Sequence, residues 1–277
     1  MSKIAQVLSI AGSDSGGGAG IQADLKTFQE RDVFGTTVIT AITAQNTKGV
    51  FDIHPIPLQT IESQIKAISD DFTIKAFKIG MLGSADVISC VVKSIKQCDF
   101  GYLVLDPVMI SKGGVPLLEE NATNALKNEL IPLCDVITPN LPEAKALTNI
   151  DITDQKSAKK AALKLQKMGA KVVIIKGGHT NNSTSEICDD WIFTQNEEFT
   201  LSSPRFITTQ THGTGCTFSA CITAELARGN SIKQSIILAK EFISEAISNP
   251  LNIGSEHGPT NHWAYNHKKR QQKLKDK

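Results

Sequence analysis

The chain has 277 residues, 40% of them hydrophobic and 21% charged, with a net charge of +1. That is enough material for the core of one α/β domain or two small ones, and the near-neutral balance gives no electrostatic case for nucleic acid or a membrane surface as the main partner. No stretch reaches the ~20 apolar residues of a membrane-spanning helix, and the opening MSKIAQVLSIAGSD lacks the layout of a secretory signal. The six cysteines include no C-x-x-C pair, so a zinc ribbon is unsupported. Without an export signal they are expected to be free thiols in a reducing cytoplasm, and the sequons at Asn181 and Asn182 then carry no meaning.

In chain order, the strand candidates are Val7–Ala11, Thr36–Thr43, Ala76–Ile79, Tyr102–Leu105, Val136–Thr138 and Val172–Ile175, all apolar or β-branched and each followed by turn residues. Helices are expected between them. In 155–169, Ala158, Ala161, Ala162, Leu165 and Met168 share one helical face, and in 231–247 Ile232, Ile236, Ala239, Ile243 and Ala246 do the same. The alternation predicts a mostly parallel sheet covered by helices on both faces. The segments 49–56 and 185–202 are β-like but irregular, suited to edge strands, a hairpin or a small β flap. With no repeat and no linker, residues 1–265 read as a single domain. The basic end, 266–277, reads as a solvated, disordered tail.

Small, polar and charged residues follow each strand: GSDSGGGAG, AQNT, GM at Gly80–Met81, DPVM at Asp106–Met109, PN at Pro139–Asn140 and KGGH at Lys176–His179. The C-terminal edge of an open parallel sheet is where ligands bind. Residues 208–217, TTQTHGTGCT, then lead into an apolar helix. Gly213 and Gly215 flank Thr214 and let the backbone approach a ligand, while the unpaired N–H groups of the helix start attract an anion. Cys216 stands where that field favours a thiolate. An anion cradle holding a potential base points to phosphoryl transfer; an ordinary helix entry is the alternative. No Walker-type loop is present, and Gly16, Gly18 and Gly20 do not fit a dinucleotide fingerprint.

Seven motifs occur in order: AGSDSGGGAGIQADLKTFQ, TAITAQNTKGV, KIGML, DPVM, TPNLPEA, KGGH and THGTGCT. Together they resemble the hydroxymethylpyrimidine kinase/phosphomethylpyrimidine kinase family of the ribokinase-like superfamily, over nearly the whole chain to about residue 265. The resemblance implies a three-layer α/β/α fold and a homodimer that uses ATP and Mg²⁺. The implied reaction phosphorylates 4-amino-5-hydroxymethyl-2-methylpyrimidine and then its monophosphate. It also places Gln45 on the pyrimidine, with Gly12, Ala19, Met81 and Val108 around it. The amide chemistry of Gln45 agrees, because it can accept from a 4-amino group and donate to the adjacent ring nitrogen; a satisfied loop amide is the alternative.

Asp24, one turn into the helix after the glycine run, is expected either to orient the hydroxymethyl group or to stabilise the helix start. Met81 can cover the ring with a soft thioether or simply sit in the core. Lys176 can reach phosphates as a point charge. Asp106 and Glu143 suit Mg²⁺ through water, and Asn140 suits phosphate or metal-bound water. His212 and His179 have no evident partner. The superfamily's sugar kinases carry Asp where this loop has Cys216; here the thiol can accept the hydroxymethyl proton. SKGG at 111–114 is either a lid or a plain turn. Rival readings are a pyridoxal kinase, a hydrolase using Cys216 with His212, and a non-catalytic pyrimidine- or nucleotide-binding protein.

Overall fold

The computed structural model describes residues 4–111, 113–119, 121–179 and 186–275. Lys112 of the SKGG turn, both sequons, Ser185, residues 276–277 and the side chain of His179 lie outside the described set.

The chain begins β1 (Gln6–Asp14), α1 (Gly20–Glu30), β2 (Phe34–Asn46), β3 (Gly49–Pro55), α2 (Leu58–Asp71) and β4 (Ile74–Ile79). It continues with α3 (Ala85–Ile95), β5 (Tyr102–Leu105), α4 (Ala122–Ala125, prolonged by irregular helical turns to Leu133), β6 (Val136–Ile137), α5 (Leu141–Thr148) and α6 (Gln155–Lys167). The last part holds β7 (Val172–Lys176), β8 (Ile187–Phe193), β9 (Glu198–Pro204), α7 (Thr214–Ala227), α8 (Ile232–Ser248) and α9 (Ala264–Lys275).

All nine strands form one sheet in the order β3-β2-β1-β4-β5-β6-β7-β8-β9. The run from β2 to β7 is parallel, and β3, β8 and β9 are antiparallel. The segments 49–56 and 185–202 therefore extend the two edges of the main sheet. Strand alternation divides the core. Leu103, Leu105, Ile137, Val173 and Ile175 pack with α2, α3, α5 and α6 on one face. Ala76, Val104, Val136, Ile174 and Ile192 pack with α7, α8 and Tyr265 of α9 on the other, and α1 joins α7 there through Phe28, Ala220 and Ala224. The result is the three-layer α/β/α arrangement.

Helix starts follow local chemistry. Asp154 and Ser157 form a capping box on α6, as Ser231 and Gln234 do on α8. The basic end differs from expectation. It is helical through Lys275, because Ala264 and Tyr265 bury the first turn and Asn266 Nδ2 donates to the Glu30 carbonyl at 2.7 Å; residues 267–275 are solvated, as their charge requires. Among the described residues, no helix is long and apolar enough to cross a membrane.

Candidate active site

The period of a strand builds the site. On the face toward α7, each apolar core residue is followed two positions on by a polar one: Ala76 by Lys78, Val104 by Asp106, Val136 by Thr138 and Ile174 by Lys176. In antiparallel β8 the order reverses, and Asp190 precedes Ile192. A row of polar groups thus lies along the C-terminal edge, under the entrance of α7.

That entrance is shaped by Gly213, which caps α7 at φ 82°. A Cβ there would lie 1.8 Å from the Gly18 carbonyl oxygen, so only glycine lets the two loops touch. A Cβ on Gly215 would sit 3.2 Å from Asp106 Oδ2 and 3.3 Å from Lys176 Nζ, which places the first turn of α7 directly on that ion pair. Lys176 Nζ donates to Asp106 Oδ1 at 2.9 Å, and Thr138 Oγ1 lies 3.3 Å from the same oxygen. The chain's last segment buttresses the loop. The His212 N–H donates to the Gly258 carbonyl at 3.0 Å, and the Thr260 N–H donates back to the His212 carbonyl at 3.2 Å. Thr217 of α7 is bonded to buried His262 at 3.0 Å. Burial and the positive charge of Lys26 push the His262 imidazole down to about 4, so it stays neutral there.

A cavity of about 720 Å³ runs across this edge. Gly12, Ala19, Gln45, Met81 and Val108 line it near β1 and β2. Asp106, Asn140, Glu143 and Lys176 line its middle, with Gly213, Thr214, Gly215 and Cys216. Its third part, beside β8, β9 and α8, is formed by Asp190, Phe206, Lys240 and Ile243. Sequence reasoning missed that part, whose residues come from an irregular segment and a helix read only as amphipathic. Asp190 accepts from the Gly177 N–H at 3.0 Å and from Lys240 Nζ at 2.7 Å, which fixes the turn after Lys176.

Gln45 is held at its backbone by the glycine-run loop, since its N–H donates to Ser15 Oγ at 2.8 Å and its carbonyl accepts from the same hydroxyl at 2.7 Å. The β2–β3 register shifts between Ala44 and Gln45, and such an irregularity re-aims a side chain. Asp14 organises that loop, accepting at Oδ1 from the Gly16 N–H at 2.7 Å and at Oδ2 from Gly18 and Ala19 at 3.0 and 2.8 Å. His212, without a partner in the sequence, is 2.8 Å from Asp14 Oδ2. Burial works against the Asp14 carboxylate, but the bond to and charge of His212 and the loop N–H groups hold it below the usual range. The hydrolase pairing gains nothing, because no hydrogen bond among the described residues joins His212 to Cys216.

Two expectations need correction. Asp24 does not reach the cavity; it is fully buried, accepting from Lys78 Nζ at 2.7 Å and Ser9 Oγ at 2.6 Å. Burial raises its carboxyl above the ordinary value despite Lys78. Lys78, a functional neighbour missed in the sequence, stays charged because Asp24, Cys216 and Asp106 outweigh its own burial. Its only signal was a lysine inside the apolar strand KAFKIG. Second, Cys216 is not a thiolate here. Burial, with the charges of Asp24 and Asp106, pushes the thiol up to about 11, against the pull of Lys78 and the Gly20 N–H. Asn140, which lines the cavity, is also the N-cap of α5. Its Oδ1 accepts from the Glu143 N–H at 2.9 Å while Glu143 Oε2 accepts from the Asn140 N–H at 2.8 Å, so the Nδ2 donors are the part of this amide suited to an anion. Burial raises the Glu143 carboxyl to about 7, Lys176 opposing and Asp106 adding to the rise. No cluster of three or more potential metal-ligating His, Cys, Asp or Glu residues exists among the described residues, so a cation here needs oxygens from water and ligand, which is how Mg²⁺ is commonly held.

The fold is that of the ribokinase-like kinases. A family model described as phosphomethylpyrimidine kinase matches residues 14–261, and the chain belongs to that family. A Haemophilus influenzae hydroxymethylpyrimidine/phosphomethylpyrimidine kinase is 64% identical, over 96% of this chain and 99% of its own. Among solved structures, a Clostridium difficile phosphomethylpyrimidine kinase is 43% identical with a TM-score of 0.78, over 88% of this chain and 100% of its own. A Bacillus subtilis pyridoxal kinase, solved as an ADP complex, is 39% identical with a TM-score of 0.87, over 96% of this chain and 100% of its own.

Proposed function

We propose that this chain transfers the γ-phosphoryl group of ATP to 4-amino-5-hydroxymethyl-2-methylpyrimidine, and a second one to the resulting monophosphate, in thiamine biosynthesis. The observation that carries this is a single cavity shared by Gln45 and the entrance of α7. The amide binds the aminopyrimidine edge, with Gly12, Ala19, Met81 and Val108 around the ring. The part beside β8, β9 and α8, left free by the pyrimidine end, takes the nucleotide; a similar pyridoxal kinase was solved as an ADP complex. The N–H groups of Gly215 and Cys216 and the Lys176 ammonium receive the transferring oxygens, in a step governed by position and charge.

Cys216 takes the hydroxymethyl proton. With burial raising the thiol to about 11, only a small fraction of molecules holds the thiolate near neutral pH. The monophosphate needs no such base, because its attacking oxygen is already anionic. Asp106 and Glu143 would hold Mg²⁺ through water, since a carboxyl that burial raises to about 7 gains from an added cation. The ion supplies charge neutralisation on the phosphates. The protein works in the cytoplasm as a homodimer, in keeping with six cysteines that are all free thiols and with its family resemblance; sedimentation of the purified chain tests the dimer.

The deciding experiment is a coupled ADP-release assay with hydroxymethylpyrimidine, its monophosphate and pyridoxal, each with and without Mg²⁺. Release with both pyrimidines, exceeding that with pyridoxal, is expected. Preference for pyridoxal would reassign the substrate. Tight binding without release would indicate a non-catalytic protein.

A further inference from the structure

Asp14, His212 and Gln45 meet where the ring is proposed to bind, and the reading above uses only Gln45. His212 Nε2 lies 2.8 Å from Asp14 Oδ2 and 3.1 Å from Gln45 Nε2. One ring nitrogen cannot donate to a carboxylate and accept from an amide at once. Asp14 is the fixed point, because three loop N–H groups already donate to it and it is held as an anion. Nε2 therefore carries the hydrogen.

The other end of the amide has the same conflict. Thr43 Oγ1 is 3.0 Å from the Ser13 carbonyl oxygen and 3.1 Å from Gln45 Oε1. Both are acceptors, and a hydroxyl has one hydrogen. A half-turn of the amide about its last bond removes the donor–donor opposition at His212 and frees the hydroxyl hydrogen of Thr43. The NH₂ group then donates to Thr43 Oγ1, which donates to Ser13. The carbonyl oxygen shares with Asp14 the single Nε2–H as a three-centre bond. Amide orientation is decided by such bond accounting.

We infer that Asp14 and His212 are positioning residues that lock the Gln45 amide with its carbonyl toward the imidazole and its NH₂ toward Thr43. Thr43 and His212 take one N–H and one lone pair. One N–H and one lone pair remain for ligand, a match for a ring nitrogen beside an exocyclic amine. A ring that lacks a donor beside an acceptor on that edge leaves one of the two unmet. The lock is thus a specificity device, and this deepening rests on the pyrimidine reading.

The test has two arms on the full chain. First, ¹⁵N NMR of the free protein reads the His212 ring and the Gln45 amide. Hydrogen on Nε2 is expected, and a neutral ring bare at Nε2 overturns the proposal whatever the substrate proves to be. Second, His212→Leu is compared with His212→Gln, which keeps an N–H donor for Asp14. His212→Leu is expected to raise KM for hydroxymethylpyrimidine about tenfold or more while kcat and ADP affinity hold, with His212→Gln recovering most of it. Equal behaviour of the two variants, or a fall in kcat at constant KM, overturns it. Failure of the wild type to phosphorylate hydroxymethylpyrimidine sinks the functional reading alone, and the NMR arm still decides the lock.

Discussion

Two lysine–aspartate pairs lie on the same face of the sheet, and their fates differ. Lys78–Asp24 is closed at 2.7 Å with neither side chain exposed, and Ser9 supports the carboxylate. Lys176–Asp106 is closed at 2.9 Å, but Lys176 keeps 16% of its side chain open to the cavity and the first turn of α7 lies against it. Lys78 borders the cavity without exposing any surface, and Asp24 does not line it. Lys176 and Asp106 both line it, beside the entrance of α7. Identical chemistry is sealed in one place and open in the other.

Breaking each pair on its own separates these roles. Asp24→Asn leaves Lys78 charged in a dry interior and is expected to cost about 3–5 kcal/mol of stability, measured by urea unfolding at pH 7; a loss under 1 kcal/mol would mean that water reaches Lys78. Lys176→Met is expected to cost less stability than Asp24→Asn, because Lys176 is 16% exposed and water can reach the Asp106 it leaves, while lowering kcat for both pyrimidines about 10²–10³-fold, read by ADP release. The contrast sharpens at Cys216, which feels both pairs. The hydroxymethyl step should quicken with pH from 7 to 9.5 in the wild type as the thiolate fraction grows toward a pKa of about 11, and this rise should vanish in Cys216→Ala. The monophosphate step should lack it in both. By the same sign, iodoacetamide should label Cys216 more slowly than a free thiol at pH 8, and faster as pH rises.

The parts of this molecule legible in sequence are those whose cause is local. The apolar run VVIIK marked β7, and the spacing of Ala158, Ala161, Ala162 and Leu165 marked α6 to within two residues. GTGC marked the entrance of α7 because glycine and a helix start are neighbours in the chain. Lys78 was hidden because a lone lysine in a strand usually points to water; only the register of β4 turns it toward α1. Asp24 was misplaced for the same reason. Asp14 and His212 were hidden by distance, being 198 residues apart, and no pattern within either segment announces the other. Asn140 and Glu143 show the reverse difficulty. Their spacing of three residues is a capping box, a local signal masked by a more attractive reading as ligands.

The bond from His212 to Gly258 and the return from Thr260 have a consequence for biogenesis. The anion loop borrows its backing from residues that follow every strand of the sheet in the chain, so a nascent chain that has reached only Ser248 has its strands made and this loop unbacked. A stop codon ahead of Gly258 is expected to leave the strands intact in sequence and to lose catalysis.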